Sequence, residues 1–222
     1  MATITSLTYP KKSHRKLVVL PLPSQKFAEF IGIMLGDGGI NNPWQATITV
    51  NAVSDRAYSQ YIAALCLKLF DITPILRKRK ERQALVISLA STTVVDFLVS
   101  RGCRRGNKLA QGLRIPRWIM ANPKFRISCL RGLVDTDGCL FIHSHSVNKK
   151  SYGNIGLCFS SRSPALLKQV AVIFKGVGIK PHLDKRGQNI YLYRADAVKK
   201  YLKIVSTSNE RISSIYQKWR GA

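Results

Sequence analysis

The chain has 222 residues, 45% of them apolar, with 36 Lys and Arg against 11 Asp and Glu for a formal charge of +25. That length and apolar share suit one large domain or two small ones with a real core and exclude a disordered tail. No apolar run approaches a membrane-spanning length, since Leu17 to Pro23 is short and broken by prolines, so a soluble chain is expected. Five cysteines, an odd number without C-x-x-C spacing, argue against a disulfide framework or a zinc ribbon and for a reducing compartment.

The acids are absent before Glu29, from Phe97 to Val134 and from Gly138 to Leu183. Such a surface predicts a polyanionic partner, nucleic acid first. A membrane surface is the lesser candidate, because there is no long basic amphipathic helix and no lipidation signal at either end. Residues 1–26 form a basic extension, and the acid-free composition of 1–20 suits a transit peptide or a DNA-contacting arm equally. The expected location is the cytoplasm, in association with the nucleoid, or an organellar matrix.

From there the elements run in order. Phe30 to Gly38 is an apolar helix ending in Asp-Gly, with the glycine suited to a left-handed terminating residue. Gln45 to Asn51 alternates as a strand, with Gln45, Thr47, Thr49 and Asn51 opposing Ala46, Ile48 and Val50. Ser54 is placed as the N-cap of a helix through residues 58–70. Ile72 to Arg79 then passes through a turn into a second β-rich run, reading as a hairpin, and Thr92 to Arg101 carries helical spacing. Residues 104–122 form a linker with Gly106, Gly112, Pro116, Arg104, Arg105, Lys108, Arg114 and Arg117 and no acid, placed to cross the polyanion as well.

The second half repeats this order. Leu130 to Gly138 aligns with Phe30 to Gly38, matching Gly32 with Gly132 and Asp37 with Asp137. Ser163-Pro164 opens a helix through residues 165–177, Ile179 to Arg186 matches Ile72 to Arg79, and Ala195 to Thr207 is the closing helix. Each half reads helix, two strands, helix, two strands, helix. The expected fold is α+β, with two αββαββα subdomains at 27–103 and 123–222 related by a pseudo-twofold, each carrying an antiparallel sheet, the two sheets forming a DNA-binding saddle.

An aspartate in the last turn of a helix faces the negative end of the macrodipole, where a carboxylate costs stability. That both repeats place one there, in so acid-poor a chain, points to a compensating cation, and hard cations such as Mg²⁺ suit paired carboxylates with water and phosphate oxygens. Gly32 and Gly36 lie on one helix face, as do Gly132 and Thr136, so the two helices can cross closely and bring Asp37 to Asp137. Two carboxylates on a symmetry axis beneath a basic platform form a metal-dependent phosphodiesterase centre.

At these residues the sequence resembles the LAGLIDADG homing endonuclease family in its single-chain form with two motifs. Leu130-Arg-Gly-Leu-Val-Asp-Thr-Asp-Gly138 is the close match; Phe30 to Gly38 departs by carrying Leu35 and Gly36 where the family has Asp-Ala. The resemblance implies a site-specific double-strand DNA endonuclease, intron-encoded, that hydrolyses one phosphodiester on each strand with divalent metal on Asp37 and Asp137. Gly36 and Thr136, which precede those acids, join the metal shell, and Asp135 is not a principal ligand. Mg²⁺ is the implied cofactor, with Mn²⁺ expected to substitute and Ca²⁺ to bind without supporting cleavage. The family also places a basic residue near the metal, and Lys108 is the candidate. No lysine matches it between Ile204 and Ile212; Lys203 or Arg211 would serve only if the loop took a different course, so the two strand cuts are expected to differ in rate.

In the family's pattern one face of each sheet lies in the major groove. Alternation of Ile179, Pro181 and Leu183 turns Lys180, His182, Asp184 and Arg186 outward. The repeat carries that parity to Arg77 and Arg79, suited to guanine, with Lys78 and Lys80 near phosphates at the hairpin tip. Tyr191, Tyr193, Asn154, Cys158 and Ser160 face outward as well. His143-Ser-His145 is a weak metal signal and is kept only as a DNA contact, and Trp44, Trp118 and Trp219 read as packing anchors. The implied partner is duplex DNA with a long pseudo-palindromic target, bound by a monomer without an obligate protein partner. Two other readings stay open: an RNA maturase acting on its host intron, and a non-catalytic DNA-binding regulator on the same scaffold.

Overall fold

The computed structural model describes residues 18–79, 82–147 and 150–221. Residues 1–17 and Lys80 lie outside the described residues, as does the side chain of His145. Eight helices and eight strands occur among the described residues: α1 (Gln25–Gly36), β1 (Gly38–Asn42), β2 (Gln45–Asn51), α2 (Arg56–Phe70), β3 (Ile75–Arg79), β4 (Ala84–Ala90), α3 (Thr92–Ser100), α4 (Arg117–Met120), α5 (Pro123–Asp137), β5 (Gly138–Val147), β6 (Lys150–Ser160), α6 (Pro164–Gly176), β7 (His182–Leu183), β8 (Asn189–Leu192), α7 (Ala195–Ile204) and α8 (Glu210–Arg220). The strands form two antiparallel sheets of matching order, β1-β2-β4-β3 and β5-β6-β8-β7. No helix among the described residues is long and apolar enough to cross a membrane.

Local chemistry starts the helices. Ser24 accepts from the Phe27 N–H, Ser91 from Val94, Ser163 from Leu166 and Asn209 from Arg211, each meeting a donor that the first turn leaves unpaired. Pro123 and Pro164 stand just inside α5 and α6, where a missing N–H costs nothing. Period-two alternation then buries Ala46, Ile48 and Val50 against the helices and turns Gln45, Thr47, Thr49 and Asn51 away. Phe27, Phe30, Phe70 and Phe97 pack ring to ring under the first sheet, with Trp118 stacked on Phe27 at 5.4 Å.

Several local expectations are corrected. Gly38 and Gly138 are not left-handed: neither has positive φ, and Gly138 is extended at φ −103°. Glycine is required there for space. The chain turns straight from helix into strand, and a Cβ on Gly38 would stand 2.5 Å from the Met34 Cα, one on Gly138 2.5 Å from the Val134 carbonyl oxygen. The residue capping α2 is Asp55 rather than Ser54, and its carboxylate makes no cap hydrogen bond because it is engaged elsewhere. β7 is two residues long against five for β3, which leaves Leu183 49% exposed at the sheet edge. Two helices were not anticipated: α4, a single turn inside the linker, and α8, where the tail carries Trp219 whose indole N–H donates to the Gly153 carbonyl at 3.0 Å.

Candidate active site

The site is built where α1 and α5 cross. A methyl group on Gly32 would overlap the Cys129 carbonyl oxygen, and one on Gly132 would overlap that of Glu29, so each glycine admits the other helix's backbone. One turn on, Gly36 makes room for the Thr136 side chain, whose hydroxyl bends back to donate to the Gly132 and Leu133 carbonyls at 3.0 and 2.9 Å. This crossing carries Asp37, the C-cap of α1, and Asp137, the last residue of α5, to the same end of the helix pair.

The two carboxylates perturb each other. Asp37 is half-buried, and loss of water followed by the like charge of Asp137 pushes its carboxyl up to about 7, against the pull of Lys108. Asp137 keeps one side open to solvent, yet protein on its other sides pushes it up to about 6, again opposed by Lys108.

Lys108 arrives from the linker. The Gly106 N–H donates to the Ile40 carbonyl at 2.7 Å, which folds the linker back over the first motif. The Lys108 ammonium then donates to the carbonyls of Met34 at 3.4 Å, Gly38 at 2.8 Å and, by a short contact, Gly36. It is a cation seated on the negative end of α1. Burial lowers its pKa, and Asp137 and then Asp37 oppose that shift.

A second cation occupies the related position in the other half. Arg211 donates to the Gly138 carbonyl at 3.2 Å, as Lys108 does to Gly38, and is held by Asp55 at 3.1 Å. Asn209 donates to the same Asp55 oxygen at 2.9 Å. The sequence offers Lys203 or Arg211 here only on a different course of the loop, because the segment before α8 and the linker align poorly; of the two, Arg211 has the Gly-carbonyl partner that matches that of Lys108. The halves therefore differ. Beside Asp137 and Lys108 opens a cavity of about 300 Å³, lined also by Leu35, Ser160, Arg162 and Asn189.

Asp135 lies apart from this centre. It is 1% exposed, its carboxylate accepting from the Thr207 hydroxyl and from the Ser208 N–H at 2.7 Å, and burial pushes it up to about 7. Glu29, which the motif comparison left unassigned, is also 1% exposed and ties four segments together. It accepts from Tyr61 at 2.5 Å and Ser208 at 2.8 Å and pairs with Lys26 at 3.4 Å and Arg131 at 3.5 Å. These two acids fasten the segment before α8 to the crossed helices. The linker is fastened on the other side, where Ser163 donates to the Leu113 carbonyl at 2.6 Å and Gln169 brackets Ile115 through both amide atoms.

The sheet faces turned away from the helices carry the other residues singled out in the sequence. Arg77 and Arg79 pair with Val86 and Ala84 on the outward side, while Lys78 lies opposite Leu85 on the inward parity and stays exposed near the hairpin tip. Asn51 is partly committed, since its side chain accepts from the Val53 and Ser54 N–H groups. Asn154 accepts from the Ile155 N–H and donates to the Tyr193 carbonyl, and Ser160 donates to Asn189 at 2.6 Å beside the cavity. Lys180, His182 and Arg186 are exposed, and Tyr191 and Tyr193 stack at 5.1 Å.

Residues 124–214 match the model of the LAGLIDADG-like domain. Over most of its length the fold is similar to that of solved homing endonucleases. It superposes on the homing endonuclease I-DmoI with a TM-score of 0.53 at 18% identity, over 82% of this chain and 96% of that one. It superposes on the meganuclease I-SmaMI bound to uncleavable DNA with a TM-score of 0.58 at 11% identity, over 89% and 90%. Full-length DUF199/WhiA from Thermatoga maritima is similar as well, with a TM-score of 0.52 at 12% identity over 90% of this chain and 62% of that one. I-DmoI has been seen in complex with DNA and Mn and with DNA and Ca. No curated protein matches the chain in sequence. At such identities the likeness is one of fold, so any case for chemistry rests on the residues at the helix crossing.

Proposed function

We propose that the chain is a site-specific endonuclease that cuts both strands of duplex DNA with divalent metal, Mg²⁺ first. The observation that carries this reading is the pair Asp37 and Asp137, gathered at one end of the crossed helices beside Lys108 and between two outward-facing sheets. A plain DNA binder of charge +25 gains nothing from two carboxylates that repel each other and the phosphates they would face.

The residues fit a hard cation. Among the described residues no group of three or more His, Cys, Asp or Glu gathers. The donors available are two carboxylates and carbonyl oxygens at helix ends, an oxygen set that suits Mg²⁺, Mn²⁺ or Ca²⁺. Asp37 and Asp137 would hold the ion, with the backbone of Gly36 and Thr136 adjoining. The Gly36 carbonyl already accepts from Lys108, so Lys108 must yield that oxygen if the carbonyl is to serve. When bound, such an ion supplies charge neutralisation at the phosphate and a more acidic water.

The chain's own groups do the rest. Lys108, inside hydrogen-bond reach of the Gly36 and Gly38 carbonyls, would orient water and offset charge on the phosphate beside Asp137. Arg211 would do so in the other half, although Asp55 restrains it. Arg77, Arg79, Lys180 and Arg186 would position the duplex and read bases from the outward faces. The experiment is a cleavage selection from a randomised duplex library in Mg²⁺. Enrichment of one long pseudo-palindrome supports the reading, and binding without any cleaved product would replace it with a regulator on the same scaffold.

A further inference from the structure

The two outward sheet faces differ in chemistry. On the second, five rings among the described residues form one connected ridge: His143 lies 5.7 Å from Phe141, Phe141 6.2 Å from Tyr191, Tyr191 5.1 Å from Tyr193, and Tyr193 5.6 Å from His182. The ridge is built in. Phe141 lies opposite Gly156 in the register of β5 and β6, and its ring covers that glycine so closely that a Cβ there would overlap it. The corresponding face of the first sheet offers Gln45, Thr47, Thr49, Val86, Arg77 and Arg79, with no aromatic residue on its strands.

The ridge is no platform for stacking single-stranded bases. Tyr191 and Tyr193 are parallel within 9° and cover each other's faces, and Phe141 stands at 84° to Tyr191. Ring edges are therefore what this surface turns outward. Within the major groove, the group that complements an apolar edge is the thymine 5-methyl, whereas guanine is matched by Arg. Exposed Lys180, Lys185 and Arg186 stand along the same end of the sheet to meet phosphates.

Resting on the proposed binding of duplex DNA, we infer that the second sheet reads thymine methyl groups through the ridge of Phe141, Tyr191 and Tyr193, while the first sheet reads its half-site by hydrogen bonds. The two halves thus specify their half-sites by different chemistry on one fold.

The test uses the full chain and the site recovered by selection, with deoxyuridine replacing thymidine in one half-site at a time, which removes only the methyl group. Affinity should fall about fourfold for each contacted methyl in the second half-site, the loss of one buried carbon, and stay level in the first. Tyr193→Ala, at a residue 47% exposed, should erase the difference between the two bases, and Phe141→Leu checks the half-buried part of the ridge. Equal sensitivity in both half-sites, no sensitivity with tight duplex binding, or a second half-site without thymine would each overturn the inference. So would single-stranded RNA that binds more tightly than duplex and loses that binding in Tyr193→Ala. Absence of duplex binding altogether would instead count against the proposed function.

Discussion

Arg211 donates to the carbonyl of Gly138 at 3.2 Å, in the place that Lys108 takes over Gly38 in the other half. The two cations are chemically unlike and differently held: Lys108 rests on three carbonyls at the end of α1, whereas Arg211 is also paired with Asp55. A symmetric fold therefore encloses an unsymmetric centre.

One consequence concerns the order of cutting. Lys108→Met and Arg211→Met should each slow the cut on one strand far more than on the other, so that nicked circles accumulate from a supercoiled substrate. Asp55→Asn, which releases Arg211, should shift the ratio of nicked to linear product without weakening DNA binding. Equal slowing of both cuts in both Met variants would show that the cations act on a shared step. Lys108→Met should also lower the melting temperature, because three carbonyls lose their donor.

The raised carboxyls fix the direction of pH effects in metal-free protein. An acid whose folded value, about 7 for Asp37 and about 6 for Asp137, exceeds its unfolded 3.8 leaves stability intact below pH 4 and costs it progressively as pH rises through the folded value. Asp37→Asn should therefore melt higher than wild type at pH 8 and alike near pH 4. Divalent metal should stabilise wild type more at pH 8 than at pH 5.5, because it competes with protons for the same oxygens, and that gain should vanish in the variant. Calorimetry at three pH values, with and without Ca²⁺, reads all of these.

Glu29 is a structural acid. Removing it by Glu29→Ala takes away the acid that Arg131 and Lys26 share and the acceptor of Tyr61 and Ser208, and should cost about 1–3 kcal/mol. The midpoint of urea unfolding would show this. The more conservative Glu29→Gln, which keeps the hydrogen bonds with Tyr61 and Ser208, should recover part of it.

The helix crossing makes an equally definite demand. Gly32→Ala or Gly132→Ala forces backbones apart where no side chain can move aside, and should cost about 1–3 kcal/mol or more. Because the same displacement separates Asp37 from Asp137, metal stabilisation should fall beyond the loss in folding. A Gly39→Ala control, at a position with no atom closer than 3.9 Å to the added carbon, should leave both nearly unchanged.

How much of this was legible depends on the kind of interaction. Period-two alternation in Gln45 to Asn51 and cap residues such as Ser163 are local, and they put the strands and helices nearly where they stand. The alignment of Gly32 with Gly132 made the crossing readable, because small residues at helical spacing have one obvious use. The role of Glu29 and the pairing of Arg211 with Asp55 escaped because partners that define them lie in the other half, 156 positions away for Arg211 and Asp55 and 179 for Ser208 and Glu29, and no pattern within a half points across to the other. The left-handed glycine expected after each aspartate was wrong for a related reason. The packing of Met34 and Val134 against the following strand, a tertiary matter, sets the need for glycine there.

The proposed role of Asp37 and Asp137 is to make a DNA binder into a nuclease. Its most direct measurement is single-turnover cleavage of the selected site by wild type, Asp37→Asn and Asp137→Asn in Mg²⁺, with duplex affinity measured alongside in the absence of metal. Cutting should be lost in each variant with affinity kept or raised, since a negative charge has left a polyanion-binding surface. Undiminished cutting by either variant would contradict it.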